Sequence, residues 1–583
     1  MKTASRIILI FLTLLLATTE GKATKAVARR FDITLNDGTK TTVVLKGDEY
    51  CHFFLSKEGE IILHEQDGWR RATATEEEEI RQTHEALLRS RQQLTILDEP
   101  STTVPFTLPE ANKPFPHSGT PKALVILVSL ADQSLVYSRE EVDNLLNSEE
   151  YTPYENGVWK SYGSAAQYFS DCSYGKFRPQ FDVVGPYTLE NPTSYYGSNF
   201  GGSDKNVEQL VEDACKKAEE NGLNFSQYDQ NNDGYIDLVY VFYAGYGEDY
   251  GGGDNFLWPC SGFFTSNTTY GGKKIFRYGI SAELFGYPGV ESMFGVEKPI
   301  LRGISTFVHE MGHTMGLPDV YPTVSWSKVT SYDNQSMEDW DIMDNGTTVC
   351  NGYYPTPYTA WEREWLGWTE EMEELKTHGH YSLLPLSEGG RGMRIYNPND
   401  ITRQEFYVLE NIPDAGRKGW YAFMPGNGLL VTHINYSSTF FANFNNPNNA
   451  VGQPRWTIIP ANGTLYSSYR SFEQEGTQYY MSNKELEESY LGNTYPGAEN
   501  VTSLTAWREY TPTMPFSLAN ISSDENGVIS FDFLDNSSGI EHPSHDSVSM
   551  KRAVFSLDGR RIDADFESLG KGVYIVDGKK VVK

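Results

Sequence analysis

The segment HEMGHTMGLPD, from His309 to Asp319, restricts the folds open to this chain more than any other. Two histidines at i and i+4 lie on one helix face, so both rings can meet a single ion. Glu310 projects beside them, placed to take a proton from a water held on that ion. Gly316 permits a sharp turn, which brings a third ligand round from beyond the helix. Asp319 occupies that position and offers a carboxylate oxygen. Two imidazoles and a carboxylate suit tetrahedral zinc, with the fourth position left to water. The alternative is a buried helix whose histidines are simply hydrogen-bonded.

The residues around the motif read as strands alternating with helices. KALVILVSL from Lys122 is a continuous apolar run of the kind found in buried strands, and IDLVYVFYAGYG from Ile236 is a second. VEQLVEDACKKAEENG has helical periodicity and stops at Gly222, while a further helix runs from Gly303 to Met315. This alternation predicts an α/β (α+β) catalytic domain over 119–368. Beyond Thr369 the short runs HYSLLPL, EFYVLENI, GLLVTHINYSS, RWTIIPA and GVISFDF are separated by Gly, Asn and Pro. They predict a β-rich, sandwich-like domain over 369–535. A polar break then leads to a small all-β tail, 548–583.

The start of the chain reads as an export leader, residues 1–23: Lys2 and Arg6 precede the apolar run IILIFLTLLLATT, and small residues follow. No later stretch approaches about 20 apolar residues, so no membrane span is expected in the mature chain. Residues 24–118 resemble a propeptide and linker. Within them Thr75 and Glu78 suggest a capping box for the helix TEEEEIRQTHEALLRSRQQL. Export permits disulfides among Cys51, Cys172, Cys215, Cys260 and Cys350, but their spacing contains no CxxC pair and fixes no pairing. Cys51 could close a zinc site as a thiolate, or could be a small buried residue in a strand.

Lys and Arg total 48 against 78 Asp and Glu, a net charge of -30. Such a surface repels nucleic acid and anionic lipid, but it suits calcium. One loop has calcium spacing: Asp229, Asn231, Asp233 and Asp237 stand at positions one, three, five and nine, with Gly234 at six and the Tyr235 carbonyl at seven. Position twelve is Tyr240, so a complete EF-hand is not expected. An Asx-rich turn is the other reading.

HExxHxxGxxD followed by WDIMDNG resembles the metzincin clan, with Met343 as its Met-turn methionine. Asp319, where histidine is commonest in the clan, is the pattern of the immune inhibitor A family of secreted bacterial metallopeptidases. GSAAQYFSDCSYGKFRPQFDVVGPY, NNDGYIDLVYVFYAGYGED, WEREWLGW, FYVLEN and PGNGLLVTHINY also resemble that family's landmarks, over about Pro121 to Phe533. The resemblance implies a metzincin-like fold and a secreted, zinc-dependent endopeptidase of protein substrates, made as a zymogen. It implies zinc on His309, His313 and Asp319, Glu310 as general base, and Met343 as an apolar floor that does not ligate. Of Tyr353, Tyr354 and Tyr358, one could stabilise an oxyanion, though packing roles suit all three. A zinc-stabilised binding protein is the rival reading, against which an intact Glu310 weighs. The tail AVFSLDGRRIDADFESLGKGVYIVDGKKVVK resembles the type IX secretion sorting domain of Bacteroidetes, which implies export machinery as a partner.

Overall fold

The computed structural model describes residues 21–80 and 82, 114–149, 161–199, 204–322, 336–535 and parts of 554–582. Within those spans 28–29, 49–50, 66–67, 414–418, 438–439, 442–445, 450–453, 466–470, 475–476, 481–482, 506 and 508–513 are left aside. Residues 1–20 of the expected leader, most of the proline-rich linker, and Asp558, Gly559 and Arg560 of the tail lie outside the described residues.

A six-stranded sheet carries the site. Its strands are β1 (Gly21–Ala23), β2 (Lys122–Ser129), β3 (Gln180–Thr188), β4 (Val239–Tyr246), β5 (Cys260–Phe263) and β6 (Arg277–Leu284), in the order β1-β5-β6-β4-β2-β3. The four strands from β6 to β3 are parallel to their neighbours. The edge reverses direction, since β5 runs antiparallel to β6 and β1 antiparallel to β5.

The period-two rule explains why β2 is apolar throughout. Ala123, Val125 and Leu127 enter one core, Leu124, Ile126 and Val128 the other. Helix α1 (Val207–Glu220) covers the second face with Leu210, Val211, Ala214, Cys215 and Ala218. On the first face lie Phe307, Val308 and Met311 of helix α2 (Ser305–Thr314), which contains the HExxH motif. Both helices were legible from sequence to within about two residues at each end.

Residues 30–71 form a five-stranded antiparallel meander whose Ile33, Val43, Leu45, Phe54 and Ile62 join the α1-side core. The helix after it is capped two residues earlier than the sequence suggested. The Thr73 hydroxyl accepts the Glu76 N–H, and the Glu76 carboxylate accepts the Thr73 N–H at 2.8 Å. A chain leaving a strand at Arg71 reaches Thr73 first, so that residue takes the cap in place of Thr75.

After α3 (Ala360–Trp365), a five-stranded sheet from Glu373 to Ile458 and a three-stranded sheet of Gly379–Leu383, Phe516–Ser523 and Ile529–Asp535 share one apolar core. Apolar residues of both sheets meet in that core, among them Leu383, Leu409, Val431, Leu518 and Phe531. The tail forms a separate compact unit, Asp535–Lys583, with a four-stranded sheet. Among the described residues no helix is long and apolar enough to cross a membrane. Cys172, Cys215, Cys260 and Cys350 form no disulfide, and the Cys51 side chain lies outside the described residues.

Candidate metal centre

Helix α2 is buried on nearly every side, with His309 and Glu310 both 0% exposed. It ends because Gly316 adopts φ +105°, a left-handed conformation that glycine enters without steric penalty. Gly316 N–H donates to the His313 carbonyl and Leu317 N–H to the Gly312 carbonyl, which turns the chain back under the helix. Asp319 Oδ1 thereby arrives 3.3 Å from His309 Nε2 and 3.0 Å from His313 Nε2. Ligands about 2.0–2.1 Å from a tetrahedral ion are about 3.3 Å from one another.

Hydrogen bonds on the far side of each ring set its orientation. His309 Nδ1 donates to the Ile342 carbonyl at 2.8 Å, and His313 Nδ1 to the Leu317 carbonyl at 2.9 Å. With Nδ1 protonated, each Nε2 directs a lone pair to the shared centre. His309 Nε2, Asp319 Oδ1 and Glu310 Oε2 are buried without a hydrogen-bond partner. Orphaned acceptors of this kind are costly unless a cation satisfies them, so the donor set fits zinc. Burial pushes Glu310 up to about 8, with the His309 charge pulling the other way.

Met343 is fully buried and packs against helix α2 at Gly312. A Cβ built on Gly312 would lie 2.6 Å from Met343 Sδ, so glycine is what lets the Met-turn approach. The three tyrosines have other partners: Tyr353 donates to the Leu301 carbonyl, Tyr358 to the Val308 carbonyl, and Tyr354 meets Phe423 edge to face. None of these contacts points at the metal centre. His433 is a core residue whose Nε2 lies 2.9 Å from Glu405 Oε1.

The strongest unanticipated contact joins residues 286 positions apart. Thr24 donates to Glu310 Oε1 from its backbone nitrogen at 2.9 Å and from its hydroxyl at 2.6 Å. Its own carbonyl accepts the Trp258 indole N–H at 2.7 Å. Lys25 follows, buried against Asp344 and Glu338. No spacing rule connects such positions, since only the β1–β5 pairing brings them together. A second convergence, His52 with Glu248 and Asp254, was also invisible in sequence. His52 Nε2 lies 2.8 Å from Glu248 Oε1, linking the meander to the catalytic sheet.

The loop from Asp229 to Asp237 is committed elsewhere. Asp229 Oδ1 and Oδ2 accept the N–H groups of Asp233 and Gly234, and Oδ2 also meets the Lys273 ammonium. Asp233 Oδ1 accepts from Tyr235 N, Asn231 donates to Asp233, and Asp237 accepts from Gln230. Lys273 is the cation that these contacts place on the loop. Its three aspartates do not converge as metal-ligating groups do.

A buried HExxH helix, a returning carboxylate and a methionine packed against the helix together form the candidate metal centre. Residues 131–370 match the family described as "Immune inhibitor A peptidase M6, catalytic domain". The chain is 27% identical over 364 residues to Immune inhibitor A of Bacillus thuringiensis subsp. alesti, covering 53% of this chain and 50% of the relative. It is 26% identical over 285 residues to Pre-pro-metalloprotease PrtV of Vibrio cholerae serotype O1, covering 42% of this chain and 30% of that protein. The chain therefore spans half or less of the length of the curated relatives it matches. The matches support the family that the sequence resembles, and a metalloendopeptidase class of hydrolase.

Proposed function

We propose that this chain is an exported, zinc-dependent endopeptidase made in latent form, with His309, His313 and Asp319 holding the metal and Glu310 acting as general base. One observation carries the reading: the main-chain nitrogen and hydroxyl of Thr24 lie against Glu310, beside the convergent atoms of His309, His313 and Asp319. Bound zinc would supply Lewis acidity for polarising a peptide carbonyl. Glu310 Oε1 receives the Thr24 amide N–H, so it stands where the nitrogen of a departing amine would collect a proton. Once β1 leaves with the leader, the β5 edge that it pairs is free to hold an extended substrate by main-chain hydrogen bonds. His309 and His313 are kept in one tautomer by the Ile342 and Leu317 carbonyls.

The same contact supports latency. Thr24 and Lys25 fill the cleft that a substrate would need, and Trp258 clasps the segment from the sheet side. Export through the leader, and sorting by the β-sheet tail through type IX machinery, complete the proposal. The test is cleavage of casein by the full chain after self-activation. Loss of activity with a zinc chelator and its return with zinc supports the reading, whereas chelator-insensitive cleavage contradicts it.

A further inference from the structure

Lys25 is a cationic side chain buried in a cleft that must later accept other peptides. It is 1% exposed, and its Nζ lies 3.1 Å from Asp344 Oδ1 and 3.8 Å from Glu338 Oε2. Both carboxylates are themselves at most 1% exposed, and the Tyr321 ring faces the ammonium 6.0 Å away. The receptacle is built by its own contacts as well as by Lys25. Asp344 Oδ2 accepts the Met337 and Glu338 N–H groups at 3.0 and 2.7 Å. Glu338 is held at φ +51°, a strained conformation for a residue with a Cβ. Strain maintained beside a cleft is characteristic of a recognition element. Asp339 registers these negative surroundings: burial, helped by Glu338 and Asp344, pushes its carboxyl up to about 7.

The segment also has a register. β1 adds to the β5 edge, Thr24 N meets Glu310, and Lys25 is the next residue. We propose that Glu338 and Asp344 form a specificity subsite for a basic side chain at the second residue beyond the cleaved bond, on the amine side. This rests on the endopeptidase reading above. When Lys25 withdraws, two buried carboxylates lose their cation, and an incoming lysine or arginine restores the pairing. A neutral or acidic residue leaves them uncompensated, so selectivity follows from the empty receptacle as much as from the filled one.

The experiment maps the bonds that the self-activated full chain cuts in a denatured protein mixture, by mass spectrometry. Lysine and arginine should be enriched at the second residue after the cut. In matched peptides, lysine at that position should raise kcat/KM at least ~10-fold over norleucine. Glu338→Gln should bring that ratio towards one. Cleavage without enrichment, or with basic residues enriched at another position, overturns the subsite and leaves the endopeptidase reading standing. No cleavage at all removes both. A Glu338→Gln protein with an unchanged lysine ratio also overturns it. If that variant does not fold, the wild-type cut map alone decides.

Discussion

At Gly312 the backbone of the metal helix and the floor of the site compete for the same space. An alanine methyl would meet Met343 Sδ at 2.6 Å and the Tyr358 hydroxyl at 3.1 Å. Gly312→Ala should therefore destabilise the protein by about 1–3 kcal/mol through overpacking, despite alanine's better helix propensity. Urea unfolding checks this, and an unchanged midpoint would remove the tight floor from the account. Asp319 makes a different prediction. Asp319→Ala should lose zinc and activity together, while Asp319→His should retain part of both; zinc content is read by atomic absorption. The convergence of His309, His313 and Asp319, with Glu310 and Met343 close by, could be read from sequence because these residues lie within one helix, one turn and one short loop. Thr24, Lys25, Glu338 and Asp344 were not. Their relation depends on strand pairing across the whole catalytic sheet, and hydrophobic periodicity says nothing of which edge a distant segment joins.

The elements repeat this division. β2 and α1 announced themselves by apolar period, because each faces a core along its whole length. The Asp229–Asp237 loop did not, since its oxygen spacing is shared by calcium loops and Asx turns. Lys273, which distinguishes the two, enters from a separate strand, Lys273–Ile275. If Lys273 serves as the loop's cation, exchange of calcium for a chelator should leave the melting temperature unchanged, because there is then no differential binding to lose. Lys273→Met should instead cost about 1–3 kcal/mol by stripping a charged hydrogen bond from a buried carboxylate. A calcium-dependent rise in melting temperature that Asp233→Ala abolishes would restore the calcium loop.

Across the whole molecule, the amino-terminal segment meets the main sheet through Thr24 and Lys25, through the shared α1-side core and through the His52–Glu248 pair. Burial opposes charge on His52, but Glu248 more than offsets it and raises the pKa from 6.5 to about 9. A raised folded-state pKa gives stability that is complete below about pH 6.5 and lost as pH climbs through about 9. The melting temperature of the full chain should therefore fall between pH 7 and 9.5 by more than that of His52→Gln. Equal slopes would show that the pair does not hold the meander. Lys25→Ala should shorten the lag before self-activation, since the cleft segment then loses its buried ion pair. An unchanged lag would separate Lys25 from latency.

The most direct test of the central claim is the Glu310→Gln protein, with zinc content and cleavage measured on the same preparation after removal of residues 24–118. Glu310 stands beside the ligand set without belonging to it, so zinc should remain near one per chain. Cleavage of a quenched protein substrate should nevertheless fall at least ~100-fold, the scale of positioned acid–base catalysis. Cleavage equal to wild type, with zinc bound, would contradict the account.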